Sequence, residues 1–174
     1  MKVGTLEPAA VEKINELIKE IRIAMLTTIA PDGSLHSRPM MTQQTPFDGD
    51  LWFFTAEDSP KSEEIAREHQ VAVTYMEPKD QRYVALAGTA VVTRDQQKAR
   101  TLWRPTYKAW FPAGLDDPRL ALLRVRVEKA EYWDATTSKM VQLFHFAKAV
   151  MSGEAAGESG RHEKLEVRAS ALST

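Results

Sequence analysis

Cysteine is absent from the sequence, which excludes disulfides, thiolate metal sites and cysteine nucleophiles. An excess of charge is also absent, because 23 Lys and Arg residues oppose 24 Asp and Glu residues, for a net charge of −1. No overall field attracts nucleic acid or an anionic membrane, and we expect neither as a partner. Long apolar runs are missing too, and the first residues lack the apolar segment of a signal peptide, so we expect a cytoplasmic protein.

The common motifs of catalytic and cofactor sites are missing as well. The sequence has neither the G-x-G-x-x-G of dinucleotide sites nor a P-loop, and no serine lies in G-x-S-x-G. Its four histidines, at positions 36, 69, 145 and 162, are far apart and lack the spacing of zinc-binding motifs. We therefore predict no metal site, and the catalytic residues, if any, stay unknown.

The 174 residues, 43% apolar and 27% charged, are typical of one globular domain, taken here as residues 1–174. Apolar residues at helical spacing after Pro8 predict an N-terminal helix over 8–21. Predicted strands cover residues 23–29, 35–43, 51–55, 71–75, 83–93 and 123–132, and helices start at Pro60 and after Asp95. Because turn residues join most of these strands directly, we predict a mainly β fold, an antiparallel barrel over 22–134 with peripheral helices.

Two irregularities are predicted within the barrel. Gly88 interrupts an apolar strand, which indicates a bend or a close approach of another backbone segment. The apolar phase of the last barrel strand shifts by one residue near Glu128–Lys129, which indicates a β-bulge. After the barrel, an apolar stripe predicts a C-terminal helix over 138–152. Gly, Ser and Glu then predict a flexible tail over 153–174, in which Leu165 and Val167 form a candidate last strand.

The segment Leu51–Ile65 has the pattern of an apolar strand, a polar turn and a helix start. Ser59 occupies the N-cap position, Pro60 the first helical position, and Lys61 follows. Free backbone N–H groups at a helix start attract anions, so this end would make a phosphate site. The alternative is a capped surface helix with a solvated lysine and a solvated acidic pair at positions 63 and 64. Arg38 on the preceding strand favours the phosphate site, because arginine and lysine can grip one phosphate from two sides.

Two roles are open for the aromatic side chains in the second half of the chain. These residues are Trp103, Tyr107, Trp110, Phe111 and Trp133. Such rings can stack on a flat ligand, but packing in a core or a dimer interface is their commoner use. Because no basic stripe accompanies them, they do not predict a nucleic-acid platform.

Taken together, these motifs resemble a known family. The chain carries TT-x-x-x-DG-x-x-x-SRPM around Arg38, then Phe53-Phe54-Thr55 followed by Ser59-x-Lys61, with G-x-A further on. This combination resembles the pyridoxamine 5′-phosphate oxidase-like split barrels, which bind flavin, and is most similar to their general stress protein subgroup. The resemblance implies a homodimer of six-stranded split β-barrels, with FMN in two symmetric clefts at the interface.

The same resemblance assigns flavin-contacting positions in this chain: Arg38, Pro39, Met40, Met41, Phe54, Thr55, Ser59 and Lys61. Arg38 and Lys61 would take the FMN phosphate, with help from Ser59. The backbone of residues 39–41 would run beside the isoalloxazine, and residues 54 and 55 would add contacts along the cofactor. FMN is the expected cofactor, with FAD as the alternative.

The chain also departs from the family's authentic oxidases. Pro60 stands where those enzymes place an arginine before the lysine, and Gln43 stands where they place a substrate-contacting lysine. Tyr83 stands in the place of a flavin-binding glutamine. Arg161 and His162 are adjacent, whereas the oxidases have an Arg-x-His substrate motif. The departures indicate a retained flavin site without pyridoxamine phosphate oxidation.

Three functions stay open at this point. The first is a flavin-dependent oxidoreductase of unknown substrate, which would use a small-molecule electron donor or acceptor. The second is a non-catalytic flavin-binding stress protein that serves as a carrier or sensor. The third is a barrel of the same kind that binds deazaflavin or haem, although no histidine is clearly placed as an axial haem ligand.

Overall fold

The computed structural model describes residues 8–134 and 161–166. Three helices lie within these residues: α1 (Pro8–Ile18), α2 (Pro60–Arg67) and α3 (Gln96–Leu102). The strands are β1 (Ile23–Ile29), β2 (Leu35–Met41), β3 (Asp50–Ala56), β4 (Gln70–Glu77), β5 (Arg82–Thr93), β6 (Leu120–Asp134) and β7 (Arg161–Glu166). Short 3-10 turns at Pro105–Ala109 and Gly114–Asp116 connect α3 to β6.

All strand pairs in the described residues are antiparallel, and they form one curled sheet. The strand order is β2-β1-β4-β5-β6-β3, and β7 pairs with β6 outside this path. The strands at the two ends of the path, β2 and β3, approach each other without forming a ladder. A sheet that curls until its ends nearly meet is a split barrel, so the predicted mainly β architecture with peripheral helices is confirmed.

The β1–β2 hairpin follows from its turn residues. Gly33 has a φ of 83°, a left-handed conformation that glycine adopts without strain. Its N–H donates to Ala30 O at 2.9 Å, and the Asp32 carboxylate accepts hydrogen bonds from Ser34. These bonds reverse the chain, and the resulting register places Thr28 opposite His36 and Leu26 opposite Arg38.

Both predicted irregularities of the barrel are present. The β5–β6 register shifts between Ala87, opposite Lys129, and Gly88, opposite Val127, so Glu128 is the extra residue of a bulge. A Cβ atom on Gly88 would lie 1.9 Å from Arg126 O, which confirms the close backbone approach. Strand β6 pairs with β3 through residues 120–126 and with β5 through residues 122–133, on either side of this bulge.

The main core fills the concave side of the curled sheet and is closed by α1 and α2. Its fully buried members include Ile14, Leu26, Phe53, Ile65, Val73 and Leu123. A smaller cluster of Ala99, Leu102 and Leu122 lies on the other side of the sheet, beneath α3. The segment of β1, IAMLTTI, is apolar at positions on both faces, which predicts a strand buried on both sides. The structure corrects this expectation, because only its inner face is fully buried and Ile23 on the outer face is 49% exposed.

Several predicted boundaries move when the tertiary contacts are in place. Helix α1 ends at Ile18 rather than residue 21, whereas α2 starts at Pro60 as predicted and ends at Arg67. Strand β2 ends at Met41 rather than residue 43, although the Thr42 N–H still donates to the Arg22 carbonyl and the Thr42 hydroxyl donates to the Ile21 carbonyl. Strand β7 contains Leu165 of the candidate last strand, whereas the predicted helix over 138–152 lies outside the described residues.

Candidate functional site

Arg38 lies on the inner face of β2, where its guanidinium is held by two neighbours. Its Nη1 donates to Thr28 Oγ1 at 2.6 Å, and its Nη2 donates to Glu64 Oε2 at 2.9 Å. Thr28 Oγ1 in turn donates to Glu64 Oε2, so the three side chains form a closed ring. About a quarter of the Arg38 side chain remains exposed, so the guanidinium is fixed in direction but reachable from solvent.

Glu64 is the buried centre of this network, although its position in the sequence suggests a solvated residue. The residue is only 5% exposed, and His36 Nδ1 lies 2.7 Å from its second carboxylate oxygen, Oε1. Burial alone would raise the pKa of the Glu64 carboxyl, but hydrogen bonds from Thr28, His36 and Arg38 outweigh burial and lower it. Glu64 therefore carries a negative charge on the buried side of α2. The expectation of a solvated acidic pair is wrong for this residue.

Lys61 lies in the first turn of α2, one helical turn before Glu64, and is partly buried. Burial lowers the pKa of its ammonium group, the positive charge of Arg38 lowers it further, and Glu64 opposes both effects. Among residues 8–134, no carboxylate oxygen lies within 4 Å of the ammonium nitrogen. Lys61 thus lies close enough to Arg38 to feel its charge, and it has no direct counter-charge in the described part of the chain.

Hydroxyl groups surround the start of α2. Ser59 occupies the predicted N-cap position before Pro60, but its side chain makes no capping hydrogen bond. Instead Ser59 Oγ lies 2.9 Å from Ser62 Oγ and 3.4 Å from Thr55 Oγ1. Thr55 and Ser62 are buried, so this polar chain leads from the end of β3 to the first turn of α2.

The predicted positions 39–41 divide between the two faces of β2. Met40 points to the core and is buried, whereas Pro39 and Met41 lie on the outer face and are exposed. Within the described residues β2 pairs only with β1, so one edge of its backbone remains open. A flat ligand beside residues 39–41 would meet this backbone edge rather than the Met40 side chain.

Phe54 and Thr55 point to opposite sides of β3 and therefore contact different residues. The Phe54 ring packs against Trp103 and Tyr107, with centroid distances of 5.6 and 4.6 Å. Thr55 faces the hydroxyl groups at the start of α2. Of these two predicted positions, only Thr55 contacts the hydroxyl groups at the start of α2, the helix that carries Lys61.

Gln43 and the aromatic residues are mostly committed to packing. Gln43 Oε1 accepts a hydrogen bond from the Tyr107 hydroxyl at 3.0 Å, and its buried amide nitrogen has no partner in the described residues. Tyr107 and Phe111 are buried, which supports core packing for them, whereas Trp110 is 57% exposed. Gln43 is therefore not displayed as a substrate-contacting group.

Exposed apolar side chains form a row across the outer face of the sheet. Ile23 pairs with Met41 in the β1–β2 register, Met76 pairs with Tyr83, and Tyr83 pairs with Trp133. All five are among the large apolar residues most exposed to solvent, and Met76 is 52% exposed. We call these residues, Ile23, Met41, Met76, Tyr83 and Trp133, the outer apolar row. No described helix has the length and apolar character needed to cross a membrane.

Thr28, His36 and Glu64 are the site residues that sequence reasoning missed. Thr28 and His36 lie opposite each other in the hairpin, and His36 is two residues before Arg38 on the same face. Glu64 follows Lys61 by three residues, which places the two on one side of a helix. The register of the β1–β2 hairpin and the three-residue spacing from Lys61 to Glu64 were the available signals. They identify the cluster only when α2 is known to pack on the hairpin.

A curled antiparallel sheet whose end strands nearly meet, with peripheral helices, defines the class of small split barrels. The chain belongs to the pyridoxamine 5′-phosphate oxidase-like family, whose model matches residues 9–157. A curated relative, Protein bli-3 of Neurospora crassa, is 27% identical over 158 residues, which cover 83% of this chain and 76% of the relative.

Two solved structures of general stress proteins are also similar to this chain. The general stress FMN/FAD binding protein from Xanthomonas citri is 28% identical, with a TM-score of 0.65 and coverage of 76% of this chain and 93% of that one. General Stress Protein 26 from Bacillus anthracis is 26% identical, with a TM-score of 0.63 and coverage of 71% and 92%. The resemblance to the general stress proteins of this family, stated from the sequence, is therefore confirmed.

Proposed function

We propose that this chain is a flavin-binding general stress protein that holds FMN, with FAD as the alternative, and acts as a cytoplasmic flavin-dependent oxidoreductase. The single observation that carries the proposal is the partly buried charge of Lys61, which has no direct carboxylate partner in the described residues. Its partly buried ammonium group stands beside Arg38 at a helix start, without a carboxylate within 4 Å in the described residues. The similar protein from Xanthomonas citri, named as FMN/FAD binding, supports the same cofactor.

The electrostatics of the cluster fit a phosphate group. Arg38 and Lys61 supply two positive charges and Glu64 one negative charge, so the cluster keeps one net positive charge when His36 is neutral. Burial and then the positive charge of Arg38 lower the pKa of Lys61, so both oppose its charged form. A bound phosphate would offset both causes, because its charge lies beside both cations.

The proposed contacts divide by chemistry. Arg38 and Lys61 hold the phosphate, and the hydroxyl groups of Ser59 and Thr55 can add hydrogen bonds at the same end. The open backbone edge at residues 39–41 serves the flat ring system, and Phe54 adds a contact along the cofactor. When bound, the flavin supplies the redox chemistry, and the protein supplies binding, orientation and electrostatics.

We further propose that the chain acts as a homodimer with the cofactor clefts at the interface. The outer apolar row supports this assembly, because contiguous exposed apolar side chains mark surfaces that a partner covers. Pro39 and Met41 lie on the same face of β2 as the row. Covering that face would enclose a cofactor beside residues 39–41.

A second candidate, a flavin carrier or sensor without catalysis, is favoured by one observation. Gln43 stands where the family's oxidases have a substrate-contacting lysine, and its side chain is committed to Tyr107. The two candidates share the flavin site and differ only in turnover with a small-molecule electron donor or acceptor.

The test is a flavin titration of the purified protein followed by a turnover assay. FMN and riboflavin, which differ by the phosphate, are titrated against the protein and followed by flavin fluorescence and absorbance. We expect FMN to bind more tightly than riboflavin. Steady oxidation of NAD(P)H by an added electron acceptor supports the oxidoreductase, and flavin binding without turnover supports the carrier. Absence of flavin binding contradicts the proposed function.

A further inference from the structure

The phosphate site contains a titratable group that the proposed function does not use. His36 lies on the inner face of β2, and about half of its side chain is exposed. Its Nδ1 contacts Glu64 Oε1 at 2.7 Å, while Arg38 Nη2 donates to Glu64 Oε2 at 2.9 Å. One buried carboxylate therefore serves the histidine with one oxygen and the phosphate-binding arginine with the other.

We propose that phosphate binding at Arg38 and Lys61 is linked to protonation of His36 through Glu64, so that the protein binds FMN more tightly when His36 is charged. The inference rests on the proposed function and names a way in which that site is regulated. Glu64 is a positioning residue here, because it acts on the phosphate only by holding Arg38 and by sharing its charge with His36.

The charges around His36 determine the direction of the effect. Glu64 faces it from α2, Arg38 lies two residues away on its own strand, and Thr28 faces it from β1. Asp32 in the β1–β2 turn has a lowered pKa, mainly from the Ser34 hydrogen bond and least from His36. Protonated His36 would compensate the Glu64 charge and leave the full charges of Arg38 and Lys61 for an anion.

Histidine is suited to this role because its ordinary titration range lies near physiological pH. Linkage requires that a proton which strengthens FMN binding is itself held more strongly when FMN is bound. Lys61, whose pKa is lowered by burial and by Arg38, can also respond to pH, but it is present in the wild type and in every variant.

The experiment measures FMN affinity from pH 5.5 to 8 for the wild-type protein, His36→Gln and His69→Gln. His69 is an exposed histidine just after α2, outside the network, and serves as the matched control. The second ionisation of the FMN phosphate is common to all variants, so the readout is the ratio of wild-type to variant affinity. We expect the wild-type to His36→Gln ratio to rise about fivefold on acidification, as one added charge near a partly exposed anion produces.

Two further variants separate linkage from a structural role. His36→Lys carries a permanent charge and should keep the tighter binding at pH 8. Glu64→Gln cuts the connection between His36 and Arg38, and its pH profile should match that of His36→Gln. Riboflavin, which lacks the phosphate, should show a flat ratio with every variant. Thermal melting of each variant identifies any that fails to fold, and His36→Gln at an exposed position keeps the test decisive.

The outcomes are distinguishable. If the wild-type protein binds FMN and its pH profile coincides with that of His36→Gln, the linkage is wrong and the proposed function stands. The linkage is also wrong if riboflavin shows the same pH response as FMN, because the phosphate then plays no part. If no flavin binds at any pH, both the proposed function and the linkage are wrong.

Discussion

Each face of the β1–β2 hairpin carries a group of side chains of the kind that a barrel with an apolar core usually places on the other face. On the inner face, toward the core, the hairpin carries Thr28, His36 and Arg38 around a buried carboxylate. On the outer face, toward solvent, it carries Ile23 and Met41 with large apolar surfaces exposed. Polar groups lie where apolar packing is expected, and apolar groups lie where water is expected.

The comparison shows that the two faces differ in what each lacks: a counter-charge on the inner face and a covering surface on the outer face. The inner face has its charges arranged by Glu64, yet it keeps a net positive charge that an anion would neutralise. The outer face has no charge to satisfy and lacks only a surface to cover it. Changes to the inner face should therefore act directly on stability and ligand affinity, whereas changes to the outer face should act first on assembly.

The largest effect is expected from placing a charge in the outer apolar row. Ile23→Lys would bury an unpaired ammonium group in the proposed dimer interface, at a cost of about 3–5 kcal/mol in association free energy. Light scattering and sedimentation should show a monomer with unchanged circular dichroism. Trp110→Lys, an exposed apolar residue outside the row, is the control. If Ile23→Lys keeps the oligomeric state of the wild type, the outer face is not the interface.

The next effect concerns the buried carboxylate of the inner face. Glu64→Ala leaves Arg38 and Thr28 without their shared partner and should lower the free energy of unfolding by about 2–4 kcal/mol. The exposed neighbour Glu63→Ala should change it by less than about 0.5 kcal/mol. Urea denaturation measures both, and equal effects of the two substitutions would contradict a special role for Glu64.

A paired replacement sharpens this result. Replacing both charges, as Arg38→Met with Glu64→Leu, should recover much of the stability that Glu64→Ala loses, because no buried charge is left unpaired. The same double variant should lose FMN affinity. Recovery of stability together with loss of binding would show that the inner-face charges serve the ligand rather than the fold.

Removing the lysine should affect binding without a comparable effect on folding. Lys61→Ala should weaken FMN binding by about 1.5–3 kcal/mol, the range for a hydrogen bond to a charged group, and Arg38→Ala should cost a similar amount. The double variant should be non-additive if both side chains hold one phosphate. Lys79→Ala in the β4–β5 turn is the control, and unchanged dissociation constants in both single variants would remove the proposed phosphate site.

The smallest effect is the dependence of stability on acid. The pKa of Glu64 in the folded protein is lowered from its ordinary value of 4.5, because hydrogen bonds outweigh burial. The unfolded chain therefore takes up this proton first as pH falls, and the stability from Glu64, fully present above pH 4.5, is lost as pH falls through the lower folded value. Urea denaturation between pH 3 and 6 should show a flatter profile for Glu64→Gln, and identical profiles would contradict the assignment.

Much of the fold could be predicted because its signals are local. The turn at residues 30–33 defines the first hairpin, and the phase shift near Glu128 and the interruption at Gly88 locate the bulge and the close backbone approach. Each signal depends on residues next to each other along the chain. The end of β2, predicted at residue 43 and found at Met41, was less accurate, because the cross-strand bond from Thr42 to Arg22 continues past the last strand residue.

The candidate site could be predicted only in part. Arg38 and Lys61 belong to motifs with recognisable spacing, and the structure places them together. Glu64 lies on a short helix, and the sequence predicts it to be solvated because charged residues there usually are. Its burial depends on Thr28 and His36, which lie 36 and 28 residues away in the chain.

By itself the sequence determined the order of strands and helices, the site of the bulge and the two cations near a helix start, because these depend on local periodicity and spacing. Only the tertiary structure decided that α2 covers the inner face of the β1–β2 hairpin. That packing buries Glu64 between Arg38 and His36, and it leaves Ile23, Met41 and Met76 exposed on the other side. Which face of a strand meets a helix is decided by long-range register and packing, which no local pattern contains.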